Sequence, residues 1–152
     1  MRLNYPPDVH LECIKCGLCC RDTGSHRRKI ILTPEDIDNI AKVTHQSPKN
    51  FCRATHAAPK PFSHVMKKTS GSCLFLNGDS TCKIYDSRPL ICRSYPFAVE
   101  YEGNNVIAFT ASSKDCPGLG RGRKLSREFF EKLTREVTDN FKSSEKLHSN
   151  SH

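Results

Sequence analysis

Apolar residues recur along the chain at two spacings, and these spacings predict both helices and strands. Between residues 34 and 45 the apolar positions follow the spacing of one helix face, formed by Ile37, Ile40, Ala41 and Thr44. Thr33 and Pro34 precede this stripe and favour a helix start, because threonine can cap the first turn and proline needs no hydrogen-bond partner there. A helix is therefore predicted to begin at Pro34.

Three further helical segments are predicted. Ser47-Pro48 is a second start signal of the same kind, and we expect Phe51 and Ala54 to face inward from a short helix. Arg88-Pro89 opens a short helical turn. Ser126 can cap a final helix that runs to about residue 142, with an apolar stripe formed by Phe130, Leu133, Val137 and Phe141.

Turn signals between apolar runs predict two β-hairpins. Asn77-Gly78-Asp79-Ser80 and Gly103-Asn104-Asn105 are both rich in residues that tolerate positive φ, and Asn-Gly is a strong hairpin signal. The runs that flank these turns are residues 72–76 and 81–85 for the first, and 97–101 and 106–109 for the second. Residues 118–124 are predicted to form a loop. Helices and hairpins together indicate one α+β domain.

The apolar residues are too few for a thick core. Leu, Ile, Val and Phe together account for 33 of the 152 residues, just above the share of about 20% below which chains tend to stay disordered. No apolar stretch approaches the ~20 residues of a membrane-spanning helix, and the N-terminus shows no apolar segment of a secretion signal. We therefore expect a cytoplasmic protein with no membrane partner.

Nine cysteines are the most unusual feature of the composition. Their number is odd, and a chain in a reducing cytosol keeps many cysteines for metal binding more often than for disulfides. Four of them form the dense cluster Cys13-x-x-Cys16-x-x-Cys19-Cys20, which core packing does not explain. A metal site that stabilises the fold is therefore predicted, with disulfides as the alternative.

The spacing of the cluster bears on which metal is bound. A Cys-x-x-Cys turn directs two sulfurs at one metal, and a third cysteine at the same spacing predicts a tripod of Cys13, Cys16 and Cys19. This tripod is typical of ferredoxin-like iron–sulfur clusters such as 4Fe–4S, whereas structural zinc more often takes two separate Cys-x-x-Cys turns. Cys20 is expected to face away from Cys19, toward a second metal or another iron. Iron–sulfur is favoured over zinc on this basis, and both stay open.

The chain is basic, with a formal net charge of +8. The runs His26-Arg27-Arg28-Lys29 and Arg121-x-Arg123-Lys124 could contact phosphates, which makes a zinc-dependent nucleic-acid-binding module one alternative function. Metal-bound thiolates would offset about half of the positive charge. Aromatic residues of an RNA-binding platform are not interleaved with these runs, so nucleic acid is not favoured as a partner.

Two arginines flank Cys92 and are expected to lie beside the metal site. A site of four thiolates carries net negative charge, and the guanidinium groups of Arg88 and Arg93 can donate hydrogen bonds to sulfur and offset that charge. An ion pair between Arg88 and Asp86 is the alternative for the first of them. Cys52, by contrast, is expected to pack in the core rather than to bind metal.

The combined pattern resembles the YkgJ family of small cysteine-cluster proteins, whose shared region is a zinc- or iron-chelating domain. The similarity covers about residues 13–122 and includes Cys13-x-x-Cys16-x-x-Cys19-Cys20, Leu32-Thr33-Pro34-Glu35-Asp36-Ile37, Cys73, Cys82-x-Ile84-Tyr85-x-x-Arg88-Pro89-x-x-Cys92-Arg93-x-Tyr95-Pro96-Phe97 and Cys116-Pro117-Gly118-Leu119-Gly120-x-Gly122. The resemblance implies eight metal-ligand candidates, which are Cys13, Cys16, Cys19, Cys20, Cys73, Cys82, Cys92 and Cys116. Cys52 lies outside the family pattern.

The expected organisation has four segments: an irregular arm at 1–12, the cysteine-cluster domain at 13–122, an amphipathic helix at 123–142 and a disordered tail at 143–152. The expected fold is a small metal-stabilised α+β domain with short helices and β-hairpins around the cysteine cluster. We expect a metal-binding protein with a binding, redox or maturation role and an unknown protein partner, and we predict no catalytic residue. The domain is also similar to part of the considerably longer flagellin lysine-N-methylases, so cluster-assisted methyl transfer to protein lysine is a further alternative.

Overall fold

The computed structural model describes residues 3–14, 16–22, 27–111 and 116–149, which form helices and short strands. The α-helices are α1 (Pro34–Thr44), α2 (Leu90–Ser94) and α3 (Arg127–Ser149), and single 3₁₀ turns span Leu18–Cys20, Pro48–Asn50 and Tyr85–Ser87. The strands are β1 (His10–Leu11), β2 (Ile31–Leu32), β3 (Cys52–Ala54), β4 (His64–Met66), β5 (Lys68–Thr69), β6 (Ser72–Cys73), β7 (Phe97–Glu102), β8 (Asn105–Ala111) and β9 (Leu119–Lys124). The chain is an α+β fold, as predicted.

The strands pair into small antiparallel sheets. One has the order β2-β4-β3, and the others are the pairs β1-β9, β5-β6 and β7-β8. β7 and β8 form the predicted hairpin around Gly103, with Phe97 opposite Ala111 and Val99 opposite Phe109. Sheets of two or three short strands are marginal alone, so each depends on packing against the rest of the chain.

Helix α1 begins at Pro34, as predicted, and Thr33 and Asp36 cap it reciprocally. The Thr33 hydroxyl accepts a hydrogen bond from the Asp36 N–H at 3.2 Å, and the Asp36 carboxylate accepts one from the Thr33 N–H at 3.0 Å. This capping box satisfies backbone N–H groups that have no partner within the helix. The helix buries Ile40 and ends at Thr44, after which His45 takes left-handed backbone angles.

Helix α3 buries the predicted stripe but is longer than predicted. The stripe residues, all at most 4% exposed, are Phe130, Leu133, Val137 and Phe141. Residues 143–149 are helical rather than disordered, and residues 150–152 lie outside the described residues. Contacts with α1 explain the extension, because the Ser144 hydroxyl accepts a hydrogen bond from the Glu35 N–H at 3.1 Å. None of the described helices is long and apolar enough to cross a membrane.

The N-terminal arm and the segment at 118–124 differ from the predictions, because they pair with each other. Strand β1 lies antiparallel to β9, with His10 opposite Lys124. The Glu12 N–H donates to the Gly118 carbonyl at 3.1 Å. A Cβ at Gly118 would collide with the Glu12 carbonyl oxygen, so glycine is what lets the two backbones approach this closely. The pair of β1 and β9 therefore forms a two-stranded ribbon, where an irregular arm and a loop were expected.

The segment predicted as a second short helix is a 3₁₀ turn followed by strand β3. Phe51 is fully buried, as expected, but Ala54 is exposed. Strand β3 forms because β4 offers a partner, with Cys52 opposite Met66 and Ala54 opposite His64. This long-range pairing outweighs the local helix signal.

The turn around Gly78 forms as predicted, but the strands expected on either side of it are short. The Asn77 N–H donates to the Thr81 carbonyl at 2.8 Å, which closes the turn. Beyond it, Leu76 and Cys82 form an isolated bridge, and β6 pairs with β5 instead of with the far side of the turn. The predicted hairpin is therefore present as its turn and one adjacent bridge, without the longer strands that were expected.

Three apolar clusters make up the core. The first, which we call the cysteine core, combines Cys20, Cys52 and Cys73 with Ile30, Leu32, Ile40, Phe51, Met66, Phe75 and Ile84. The other two lie along α3 and are formed by Phe97, Phe109, Phe130 and Leu133, and by Leu90, Val137 and Phe141. Among the described residues, cysteines belong to the first cluster alone, so one half of the molecule has a core built partly of thiols.

A buried carboxylate joins the three α-helices. Asp36 is 2% exposed, and besides the Thr33 N–H it accepts hydrogen bonds from the Leu90 N–H at 3.1 Å and from the Asn140 side-chain amide at 3.0 Å. Burial raises the pKa of Asp36, while these donors favour the charged carboxylate and oppose that shift. Three N–H donors, one from each helical region, thus converge on two carboxylate oxygens.

Replacing Asp36 by Asn is expected to lower the free energy of unfolding by about 2 kcal/mol or more. An amide has one acceptor oxygen, so its NH₂ group would face a buried N–H donor. Urea unfolding followed by circular dichroism at constant metal content measures the loss. Asp38→Asn is the matched control, because Asp38 lies on the same helix, is only partly buried and pairs with Lys42 at 2.9 Å, and its loss should be no more than about 0.5 kcal/mol. Equal losses in the two variants would contradict the role of Asp36.

Candidate metal centre

The cysteine-rich segment folds into a tight turn that brings neighbouring thiols together. Gly17 has a φ of 75°, and the Cys20 N–H donates to its carbonyl at 3.0 Å, which closes one 3₁₀ turn. The Sγ atoms of Cys19 and Cys20 lie 3.8 Å apart, so the expectation that these side chains face different directions is wrong. In a 3₁₀ turn successive side chains diverge by about 120°, less than in extended backbone, and adjacent sulfurs can therefore meet.

Five cysteines form a deep group. The group contains Cys19 and Cys20 from the 3₁₀ turn, Cys73 from β6, Cys82 from the bridge to Leu76, and Cys92 from α2. Cys20 and Cys73 are each 7% exposed, and the other three pack against the same cysteine core. The Phe75 N–H donates to the Cys73 sulfur at 3.5 Å, the kind of contact that supports a metal-binding thiolate.

The electrostatics of these thiols shows that they are close neighbours. Burial raises the pKa of Cys92 to about 12, and the charges of Cys19, Cys73 and Cys82 add to that shift. Burial also raises the pKa of Cys73, with further contributions from the charges of Cys82 and Cys19. For Cys20, the hydrogen bond with Cys19, burial and the charges of Cys19, Cys92 and Cys73 all raise the pKa. Each member of the deep group therefore feels the charges of others.

One thiol of the deep group is the first to ionise. A hydrogen bond with Cys20 lowers the pKa of Cys19 to about 6, and the guanidinium charges of Arg28 and Arg88 lower it further against the effect of burial. The same contact raises the pKa of Cys20. Within the deep group Cys19 is therefore the cysteine whose surroundings favour the thiolate, the form that binds metal.

Three cysteines form an outer group. Burial raises the pKa of Cys116, and the charges of Cys16 and Cys13 raise it as well, while the N–H groups of Gly118 and Leu119 oppose the shift. Cys13 is exposed, and Cys16 and Cys116 are partly buried. The hydrogen bond between the backbones of residues 12 and 118 is what brings the end of the family motif beside its beginning.

This grouping differs from the predicted tripod. Cys13 and Cys16 lie with Cys116, whereas the third member, Cys19, interacts with Cys20 and the other deep thiols. The difference arises because the turn at Leu18–Cys20 follows a left-handed glycine, and the chain changes direction between the two Cys-x-x-Cys spacings. All eight candidate ligands thus belong to one of two groups.

Cys52 stands apart from both groups. Its thiol donates to the Pro48 carbonyl at 3.3 Å, and it is buried in the cysteine core. Burial raises the pKa of Cys52, and the nearby charge that opposes this shift belongs to Lys67 rather than to a cysteine. These contacts fit the expected packing role.

The two groups assemble thiols without forming a finished cage. Among the described residues, no three Cys, His, Asp or Glu side chains stand close enough together to hold a metal ion as they are placed. The donor chemistry nevertheless fits zinc or iron, because both metals favour thiolates. The 3.8 Å between the Cys19 and Cys20 sulfurs also matches the edge of a tetrahedron of sulfurs about 2.3 Å from a central ion.

Arg28 is the residue beside the thiols that the sequence reasoning missed. It is 9% exposed, its Nε donates to the Cys19 carbonyl at 2.9 Å, and its guanidinium lies 4.8 Å from the centre of the Tyr95 ring. Its Nη2 atom is buried and has no hydrogen-bond partner among the described residues. A buried, unpartnered cationic donor next to thiols is suited to a thiolate acceptor. The sequence does contain a signal for the burial of Arg28. In an extended segment every second residue lies on the same face, and Ile30, two positions after Arg28, is buried as well.

The two arginines predicted beside the site have different surroundings. Arg88 Nε donates to the Tyr85 carbonyl at 2.9 Å, not to Asp86, and its charge lowers the pKa of Cys19 and opposes the burial shift of Cys82. Arg93 instead lies 4.0 Å from the Glu136 carboxylate of α3. Arg88 thus lies near the deep group, while the contact of Arg93 is with α3.

Comparison with known proteins agrees with this site. The sequence model of a family described as "CxxCxxCC: Putative zinc- or iron-chelating domain" matches residues 12–117, a range that contains both cysteine groups. An uncharacterized protein of Methanocaldococcus jannaschii is 31% identical over 131 residues, which cover 83% of this chain and 68% of that protein. No solved structure matches the chain.

Serine replacements test the two-group arrangement. Cys13→Ser and Cys92→Ser are each expected to lower the metal bound per chain, because serine lacks the soft thiolate, whereas Cys52→Ser should not. Cys73→Ser added to Cys92→Ser should remove little more metal than Cys92→Ser alone, since both act on the deep group. Cys13→Ser added to Cys92→Ser should remove more. Elemental analysis of the purified variants gives the metal content, and a loss in Cys52→Ser equal to that in Cys92→Ser would contradict the ligand assignment.

Arginine replacements test the position of Arg28. Arg28→Gln is expected to weaken metal retention about tenfold or more, because the deep thiolates lose a charge-compensating donor. Arg93→Gln is the matched control and should leave retention within about twofold, since its contact is with Glu136. Competition with a chromophoric chelator measures both. A larger effect of Arg93→Gln than of Arg28→Gln would mean that Arg93, which the sequence predicted beside the metal site, compensates the thiolates instead of Arg28.

Proposed function

The chain belongs to the CxxCxxCC family of zinc- or iron-chelating domains, and on that premise we propose that its eight grouped cysteines are the metal ligands. The deep group would supply four of its five cysteines to one metal centre, and the fifth would join the three cysteines of the outer group at a second metal. The observation that carries this proposal is the buried Arg28 guanidinium among the deep thiols, with its Nη2 unpartnered among the described residues.

The buried charge of Arg28 favours a bound metal. A guanidinium stays charged at any physiological pH, and a buried charge without an opposite charge is strongly destabilising. Neutral thiols alone would leave Arg28 in that condition. A divalent ion with four thiolates carries a net negative charge and offers sulfur acceptors to the free N–H. Bound metal therefore makes Arg28 a stabilising residue rather than a destabilising one.

The metal in the deep group is proposed to be a single zinc or iron ion. The sequence favoured an iron–sulfur cluster because of the tripod of Cys13, Cys16 and Cys19, and the observed grouping removes the main argument for it. In a 4Fe–4S cluster each thiolate binds a different iron, whereas the separation of the Cys19 and Cys20 sulfurs suits two ligands of one ion. The iron–sulfur cluster stays a prediction that the experiment below decides.

The proposed setting is the cytoplasm, and the proposed role is metal binding that serves a partner protein rather than catalysis. All nine cysteines are free thiols in the structure. Thiols at such density persist in a reducing compartment, and in an oxidising one they would be expected to form disulfides.

Anaerobic purification followed by metal and acid-labile sulfide analysis tests the proposal. We expect about two zinc or iron ions per chain and no inorganic sulfide, as for closed thiolate sites. Sulfide together with a broad absorption band near ~400 nm would overturn the single-ion proposal in favour of an iron–sulfur cluster. A chain that binds neither metal after anaerobic reconstitution would overturn the metal-binding proposal altogether.

A further inference from the structure

The outer face of the β2-β4-β3 sheet carries a groove that the metal centre does not use. Across the sheet Ile31 lies opposite Val65, and Val65 lies opposite Arg53, so these three residues share one face. The neighbouring residue Leu32 belongs to the opposite face and is buried in the cysteine core. The groove has a volume of about 770 Å³, and residues 57–59 of the β3–β4 connection also line it.

Cations surround this groove. They are Arg27, Lys29, Arg53, Lys67 and Lys68, and no Asp or Glu belongs to the lining among the described residues. Asp22, outside the groove, lies 2.9 Å from Lys68, and its hydrogen bond with Lys68 and the charge of Arg27 lower its pKa, so it offsets these two in part. Lys67 donates to the Lys49 carbonyl, a neutral acceptor, at 2.6 Å. The groove therefore has a net positive rim.

The floor of the groove is aliphatic rather than aromatic. Ile31, Val65 and Ala54 line it between the cations, and its described lining contains no Phe, Tyr or Trp. Proteins that bind single-stranded nucleic acid commonly stack bases on aromatic rings, and this floor offers none. An extended polypeptide suits it better, because its side chains alternate: carboxylates can reach the rim on one side while aliphatic side chains lie on the floor.

We propose that this groove binds an acidic segment of a partner protein, in an extended conformation with aliphatic side chains between its carboxylates. The charges of Lys29, Arg53 and Lys67 attract the segment, and the contact of its aliphatic side chains with Ile31 and Val65 adds affinity that charge alone does not give. The site lies on the face of the sheet opposite to the cysteine core and does not depend on which metal the cysteines hold.

Binding of a labelled synthetic peptide of alternating glutamate and leucine, followed by fluorescence anisotropy with the full chain as purified, tests the proposal. We expect saturable binding that weakens with salt. Lys29→Glu combined with Arg53→Glu should lower the affinity about tenfold or more, and Val65→Ser should lower it about threefold. Arg121→Glu combined with Arg123→Glu is the matched control: it makes the same change in net charge at exposed positions of β9, and it should change the affinity by less than about twofold.

Three results would overturn the proposal. One is the absence of saturable binding, and another is an equal loss in the β9 control, which would mean attraction by net charge alone. The third is tighter binding of polyuridylate than of the peptide with no effect of Val65→Ser, which would assign the groove to a nucleic-acid backbone. Far-ultraviolet circular dichroism and metal content check folding, and if the charge-reversed variant fails that check, Lys29→Gln with Arg53→Gln decides by the same criteria.

Discussion

The burial of several thiols in one apolar cluster sets the main constraint on this fold. Six of the nine cysteines lie in or against one apolar cluster, namely Cys19, Cys20, Cys52, Cys73, Cys82 and Cys92. A protonated thiol packs there like a small apolar side chain, but a thiolate in the same place is destabilising without a positive charge beside it. The pKa values of the cysteines reflect these two opposing effects. Burial raises the pKa of Cys92 to about 12, whereas the hydrogen bond with Cys20 and the charges of Arg28 and Arg88 lower the pKa of Cys19 to about 6.

Strand alternation is how the chain brings positive charge into this core. Arg28 and Leu32 lie on the buried face of one extended segment, while Arg27 and Lys29 are exposed on the other. One basic run therefore serves two purposes: its central arginine compensates the thiols, and its neighbours form part of the positive rim of the groove. A shift of one residue in this register would reverse both faces and leave the deep thiols without their arginine.

Local signals in the sequence predicted the elements that are held together locally. The helix start at Thr33 and Pro34, the stripe on α3 and the turn at Gly103 each act within a few residues, and all three predictions are confirmed. The ribbon between residues 12 and 118 could not be predicted, because it depends on a close backbone approach between segments far apart in the sequence. The ribbon brings Cys116 beside Cys13 and Cys16, and the turn after Gly17 separates these from Cys19, so the sequence identified the candidate ligands but not their grouping.

The two halves of the core differ in what stabilises them, and Asp36 is where they meet. The clusters along α3 consist of phenylalanine and aliphatic residues, which pack without a metal. The cysteine core combines seven such apolar side chains with three buried cysteines, so under the proposed function a metal bound by its thiols would add to the stability of that half. Asp36 accepts hydrogen bonds from Leu90 at the start of α2, the helix of Cys92, and from Asn140 on α3. The helix that carries Cys92 is thus tied through one carboxylate to the half of the molecule whose described core contains no cysteine.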